Sequence, residues 1–321
     1  MITDFSSIIG HEVHKQYLQR VLANDALAHG YCFSGASSLG KSTLARLLAA
    51  EILTIKTSEL SQHPDFRLID RLTDEKTGKI ATTISVEVIR DLRSWMSLTS
   101  VTGQRKVVII KNADLMTVAA QNALLKTLEE PSGEALIMLM ATDASQLLPT
   151  IISRVVHLNF SRVARETLCD YLKTQGQATD SAHDLAGIAS GRPGVAINLL
   201  QSAARDEQRQ ASQLALEFLG GSLSQRMKMI LDLTKEAQKT PDVLETTIRV
   251  WYQVTHDALL SSLDCSPAYF STESDDNVNQ VGRARATSDW SRALRALIEA
   301  QKAIRQNVNP TIALEHFALS F

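Results

Sequence analysis

Eight consecutive residues, Gly35 to Ser42 (Gly-Ala-Ser-Ser-Leu-Gly-Lys-Ser), follow the pattern G-x-x-x-x-G-K-[ST]. Such glycines let the backbone turn its N–H groups toward phosphate oxygens at a helix N-terminus. Lys41 can then reach the terminal phosphates, and the Ser42 hydroxyl can ligate magnesium. The chemistry suits ATP or ADP, with Gly35, Gly40, Lys41, Ser42 and Thr43 as the candidate nucleotide-binding residues. A strand-like Tyr31-Cys32-Phe33 before the loop and a helical stretch after it supply the context this loop requires.

Hydrolysis asks for more. A P-loop enzyme needs a second strand ending in acidic residues, one to hold magnesium and one to position the attacking water. Lys106 to Ile110 has the composition of that strand, but Lys111 and Asn112 follow it, so a cation stands where the metal-directed carboxylate should be. Asp114 would serve only if the strand ran three residues further. Its expected role is the N-cap of a helix starting at Leu115. Asp70 is a second formal candidate, at the end of a short strand that carries Arg67. These residues predict binding without turnover.

Thr142, just after an apolar strand at Leu136 to Ala141, meets a γ-phosphate if that strand neighbours the P-loop strand, and otherwise is an ordinary strand-end threonine. Arg154 opens a later strand, as either a surface ion-pair residue or a functional cation. The histidines show no ligand spacing. Cys32, Cys169 and Cys265 are widely spaced without a C-x-x-C pair, so neither a disulfide framework nor a zinc site is expected.

The elements that must position these groups read as two halves. Up to about residue 160, short apolar runs (30–34, 65–69, 106–110, 136–141, 155–160) alternate with helical stretches (43–53, 85–98, 115–130), the pattern of a parallel sheet covered by helices. The last helix is expected to stop at Pro131. Beyond 161, apolar positions recur three and four apart, as in Leu244, Ile248, Trp251 and Val254, or Trp290, Leu294, Leu297 and Ile298, which predicts helices only. Asn309-Pro310 reads as the cap and first residue of a final helix at 311–319. The fold class is therefore an α/β P-loop sheet domain at 1–160, followed by a small helical lid at 161–212 and an all-α domain at 213–321. The polar stretch from Asp264 to Asp289 is longer than most ordered loops.

Length and charge agree with this. The 321 residues suggest about two domains. A formal charge of −2 lacks the basic excess of a protein that grips nucleic acid unaided, so any DNA contact must be local or shared. The longest apolar run, Ala135 to Ala141, is far short of a membrane span, and residues 1–30 lack a basic start followed by an apolar stretch. A cytoplasmic chain without membrane partners is expected.

Taken together, the stretches Asp4 to Glu12, His29 to Gly35 and Ile84 to Glu87, and above all Gln121 to Pro131 (Gln-Asn-Ala-Leu-Leu-Lys-Thr-Leu-Glu-Glu-Pro), closely resemble bacterial clamp-loader AAA+ subunits. Leu148 to Arg154 resembles that family's arginine-finger segment, with Val155 replacing the usual Cys. The likeness spans most of residues 4–200 and continues more weakly at Asn307 to Pro310, which looks like the end of a helical collar.

The resemblance implies a subunit of the DNA polymerase III clamp loader, working with ATPase (gamma/tau) and delta subunits to place the sliding clamp on primed DNA, which the assembled ring holds. Within the family, Lys111-Asn112 in place of Asp-Glu, and Gly194 where a sensor Arg is usual, point to the non-hydrolysing delta-prime type. The four-cysteine zinc module of many relatives has no counterpart at residues 51–64. Arg154 would then reach a neighbour's nucleotide in trans, a cation worth about 10³ to 10⁵ in rate, or roughly 4 to 7 kcal/mol of barrier. The alternative is an active gamma/tau-like ATPase that takes magnesium on Asp114 or another carboxylate.

Overall fold

A strand covered on both faces needs a nearly continuous apolar run, whereas an edge strand tolerates polar residues. The computed structural model, which describes residues 5–73, 81–103, 105–129, 134–237, 241–265, 276–306 and 308–320, follows that division. Strands β1 (Gly30–Ser34), β3 (Lys106–Ile110) and β4 (Ala135–Ala141) are buried throughout, while β2 (Phe66–Ile69) and β5 (Val156–Asn159) form the half-exposed edges. The sheet is parallel in the order β2-β3-β4-β1-β5. Two strands lie where the sequence places them, and the other three shift by one residue at one or both ends.

Alternation along the strands divides the core. Val107, Ile109, Tyr31, Phe33 and Met138 pack with Leu44 and Leu48 of α2 (Lys41–Leu53) and Leu18 of α1 (Glu12–Ala23). Val108, Ile110, Cys32, Ile137 and Leu139 pack on the other face with Ile89 and Leu92 of α3 (Val86–Met96) and Leu124 and Leu128 of α4 (Val118–Glu129). A short helix, α5 (Pro149–Ile152), precedes β5.

The helix expected from Leu115 starts later. Asn112 takes a left-handed conformation, Ala113–Leu115 form a 3₁₀ turn, and Met116 is extended and bridges to Ile84. Thr117 Oγ1 accepts the Ala120 N–H at 3.2 Å, so Thr117, not Asp114, caps α4. The expected stop at Pro131 lies outside the described residues.

The chain divides into two compact units, 1–167 with 192–194, and 168–191 with 195–321. Residue 212, expected as a boundary, lies inside α9 (Ser202–Gly220), so lid and collar residues share the second unit. That unit contains α6 (Arg165–Thr174), α7 (Thr179–Ala189), α8 (Pro193–Asn198) and α9, apart from the few residues of α6 and α8 that cluster with the first. It continues through α10 (Leu223–Ala237), α11 (Pro241–Ser262), α12 (Asp276–Arg283), α13 (Thr287–Arg305) and α14 (Pro310–Ala318). Helix α12 occupies part of the polar stretch read as loop. Phe218, Trp251 and Phe317 pack together at the core of this second unit, with the Phe218 and Trp251 rings 4.0 Å apart. Buried Arg226 donates to the carbonyls of Phe218, Leu219 and Ala318, closing the C-terminal ends of α9 and α14. Asn309 caps α14 through the Thr311 N–H at 2.9 Å, as the sequence predicts.

Candidate functional site

Parallel α/β sheets bind ligands beyond the carboxyl ends of their strands. Here β1 leaves the sheet at Ser34, paired with Ala141 of β4 and Asn159 of β5, so the loop from Gly35 and the residue Thr142 emerge side by side. Gly35 has φ +130, and a Cβ there would stand 2.2 Å from the Phe160 carbonyl oxygen, so only glycine fits. Ser38 and Gly40 also adopt positive φ, of 62 and 92. These turns bring the loop round to the N-terminus of α2, where Lys41 begins the helix, Ser42 is half-buried and Thr43 is exposed. The positive end of the helix dipole and the ammonium of Lys41 together favour an anion.

Lys41 Nζ donates to the carbonyls of Gly35 and of Ala36, the latter at 2.7 Å. His11, with φ +58, donates through Nε2 to the Leu39 carbonyl at 3.1 Å, and its ring lies parallel to that of His14. Burial first, then the neighbouring His14, push the pKa of His11 down, which keeps the imidazole neutral beside the loop. Gly194 donates its N–H to the Ser38 carbonyl at 2.9 Å, and a Cβ at Gly194 would stand 3.1 Å from both Ser38 Cβ and that oxygen. A side chain at 194 therefore presses on the tip of the loop.

The acidic candidates point elsewhere. Lys111 donates its N–H to Ile69, and the Asn112 amide donates to Asp70 Oδ1 at 2.8 Å. Asp70 also accepts the Arg71 N–H, at the end of an edge strand separated from β1 by β3 and β4. Asp114 accepts the N–H groups of Thr142 (3.0 Å) and Asp143 (3.3 Å) on Oδ2, while its buried Oδ1 has no partner among the described residues. Burial, then the charge of Asp114, push the Cys32 thiol up to about 12, and the charge of Lys41 opposes them. Asp114 thus sits close to the P-loop strand without occupying the end of β3.

Arg154 lies at the opposite edge of the sheet, just before β5. Its Nη2 is 2.7 Å from Glu129 Oε1, and Nη1 donates to the Thr150 carbonyl and to Ser153 Oγ. It precedes β5, whose last residue Asn159 is the partner of Ser34, so the length of that strand, about 10 Å at ~3.3 Å per residue, stands between it and the level of its own P-loop. The segment leading to it is pinned by Gln121, which sequence reading did not single out as functional. Its buried amide donates to the Met116 and Gln146 carbonyls and accepts the Leu148 N–H at 2.7 Å.

Sequence reading also missed a groove of about 630 Å³ between α3 and α4, lined by Arg90, Arg93, Ser97, Lys126 and Glu129 among others. Arg90, Arg93 and Lys126 form no ion pair among the described residues, and Glu129 is taken by Arg154, so the groove is net positive. The signal available was basic residues three apart on the outer face of α3.

Residues 10–164 match the family described as DNA polymerase III, delta subunit. The DNA polymerase III subunit delta' of Pseudomonas aeruginosa is 32% identical over 201 residues, covering 57% of this chain and 59% of that protein. The delta' subunit of Bacillus subtilis is 26% identical over 317 residues, covering 94% of this chain and 93% of that one. The DNA polymerase III subunit tau of Escherichia coli is 29% identical over 230 residues, covering 68% of this chain and 36% of tau.

Proposed function

We propose, from the match of residues 10–164 to the DNA polymerase III delta-subunit family and the likeness to delta' subunits, that the chain is the catalytically silent P-loop member of a clamp-loading ring. It binds ATP or ADP at Gly35, Gly40, Lys41, Ser42, Thr43 and Thr142 without hydrolysing it. It completes the ATPase site of a neighbouring gamma/tau-type subunit with Arg154, and with the delta subunit it helps that ring place the sliding clamp on primed DNA.

The observation that carries this reading is the end of β3. Lys111 and Asn112 stand where a hydrolytic P-loop site needs acids, and Asn112 is committed to Asp70. The P-loop itself fits a polyphosphate: the Gly35 position excludes any Cβ, and the loop wraps the start of α2. Bound magnesium would shield phosphate charge, and Ser42 is the residue on the loop suited to hold it. No acid from β3 shares that task. The separation of Arg154 from its own P-loop supports action in trans. The basic groove of Arg90, Arg93 and Lys126 supports contact with DNA phosphates once the ring is assembled, in a chain whose overall charge is close to neutral. One observation favours the alternative of an active ATPase: the unpartnered Oδ1 of Asp114 beside the P-loop strand.

The test compares magnesium-dependent hydrolysis by the purified chain with that by its Lys41→Ala variant, following nucleotide binding in the same samples. Arg154→Ala is then assayed in the reconstituted ring. Binding without turnover, a Lys41→Ala variant about tenfold to a hundredfold weaker in binding, and loss of ring ATPase in Arg154→Ala support the proposal. Turnover that vanishes with Lys41→Ala makes the chain a motor and overturns it.

A further inference from the structure

Glu129 is the last described residue of α4 and lies 2.7 Å from Arg154 Nη2, a charge-assisted pair between a carboxylate and a guanidinium. A guanidinium carries five N–H donors in a rigid fork. Both Nη1 donors are used, on the Thr150 carbonyl at 2.9 Å and on Ser153 Oγ at 3.2 Å, and one Nη2 donor faces Glu129. That leaves Nε–H and the second Nη2–H without a partner among the described residues, enough for two oxygens of one phosphate.

We infer that Glu129 is a positioning residue for Arg154. With Thr150 and Ser153 it fixes the plane of the guanidinium, so that the two remaining donors are presented together to a phosphate held by a neighbouring subunit. This rests on the reading of Arg154 as a trans-acting cation. Both side chains stand partly in water, so the pair adds little to stability. Its use is orientation, secured before the neighbour's nucleotide arrives.

The test is a double-mutant cycle in the ring reconstituted with its partner ATPase subunits, with kcat and KM for ATP measured separately and the unfolding midpoint of each isolated variant recorded. Glu129→Ala is expected to lower kcat roughly threefold to tenfold with KM unchanged, and Glu129→Gln, which keeps an acceptor oxygen, to lose less. In an Arg154→Ala background Glu129→Ala should have no further effect. An unchanged or raised kcat in Glu129→Ala, while Arg154→Ala is impaired, overturns the inference and leaves the trans-acting role intact. An equal loss with and without Arg154 makes Glu129 merely structural and also overturns it. An Arg154→Ala ring with full activity removes the underlying reading instead.

Discussion

Asp114 Oδ2 accepts the backbone N–H of Thr142 at 3.0 Å, tying the exit of β3 to the end of β4 next to the P-loop. The same oxygen takes the Asp143 N–H, so one carboxylate serves two backbone donors at the rim of the proposed nucleotide site. Removing it in Asp114→Ala strands both, at a cost of about 1–3 kcal/mol. A fall in the denaturant midpoint of that size with unchanged slope is expected, with Asp114→Asn losing less because the amide oxygen still accepts. A stable Asp114→Ala variant that loses nucleotide-dependent turnover would instead make Asp114 a metal ligand.

Much of this was legible in the sequence because its signals are local. The P-loop needs glycines at fixed offsets between a strand and a helix, and apolar runs of four to seven residues mark strands closely. Asn309 before Pro310 announces its helix by cap chemistry alone. Contacts distant in sequence were hidden. Asp114 reads as a helix cap, and only the pairing of β3 with β4 and the loops that follow them bring Thr142 to its carboxylate. The boundary near 212 failed because a helix continues through a polar stretch when tertiary packing holds its other face. The spacing of Arg90 and Arg93 marks one basic helix face, but the groove itself needed α3 and α4 side by side, which that spacing does not reveal.

Asp65 should give the chain an acid-sensitive loop. Its buried carboxylate accepts from Ser100 Oγ, the Val101 N–H, and the N–H and hydroxyl of Thr102. Burial alone raises its pKa, but these hydrogen bonds outweigh it and hold the group at about 2, below the ordinary 3.8. A depressed folded pKa contributes stability that is complete above about pH 4 and is lost as pH falls toward 2, here about 1 kcal/mol after solvent screening. Unfolding free energy measured from pH 5 to 2 should fall by that amount more in the parent than in Asp65→Asn. Parallel curves would assign the acid sensitivity to other carboxylates.

Gln121→Ala should loosen the segment that carries Arg154. The substitution leaves the buried Met116 carbonyl and the part-buried Leu148 N–H and Gln146 carbonyl without their side-chain partner, a loss of about 1–3 kcal/mol. Hydrogen exchange at 146–148 should accelerate more than in β3, and ring ATPase should fall even where the variant remains folded. Unchanged exchange at Leu148 would show that α5 holds itself.

Charge reversal in the groove separates the proposed DNA contact from the proposed trans-acting role of Arg154. Lys126 and Arg90 line the α3–α4 groove, whereas Arg154 is engaged with Glu129 beside it. A phosphate contact releases about 0.9 counterion, so losing one lowers the slope of log affinity against log salt by roughly that amount, whatever the DNA sequence. Lys126→Glu in the assembled ring should therefore weaken binding to primed DNA and flatten its salt dependence, while ATPase measured without DNA stays near the parent value. If DNA-free ATPase falls and the salt slope does not move, Lys126 serves the subunit interface, and the groove is not where the ring holds the backbone.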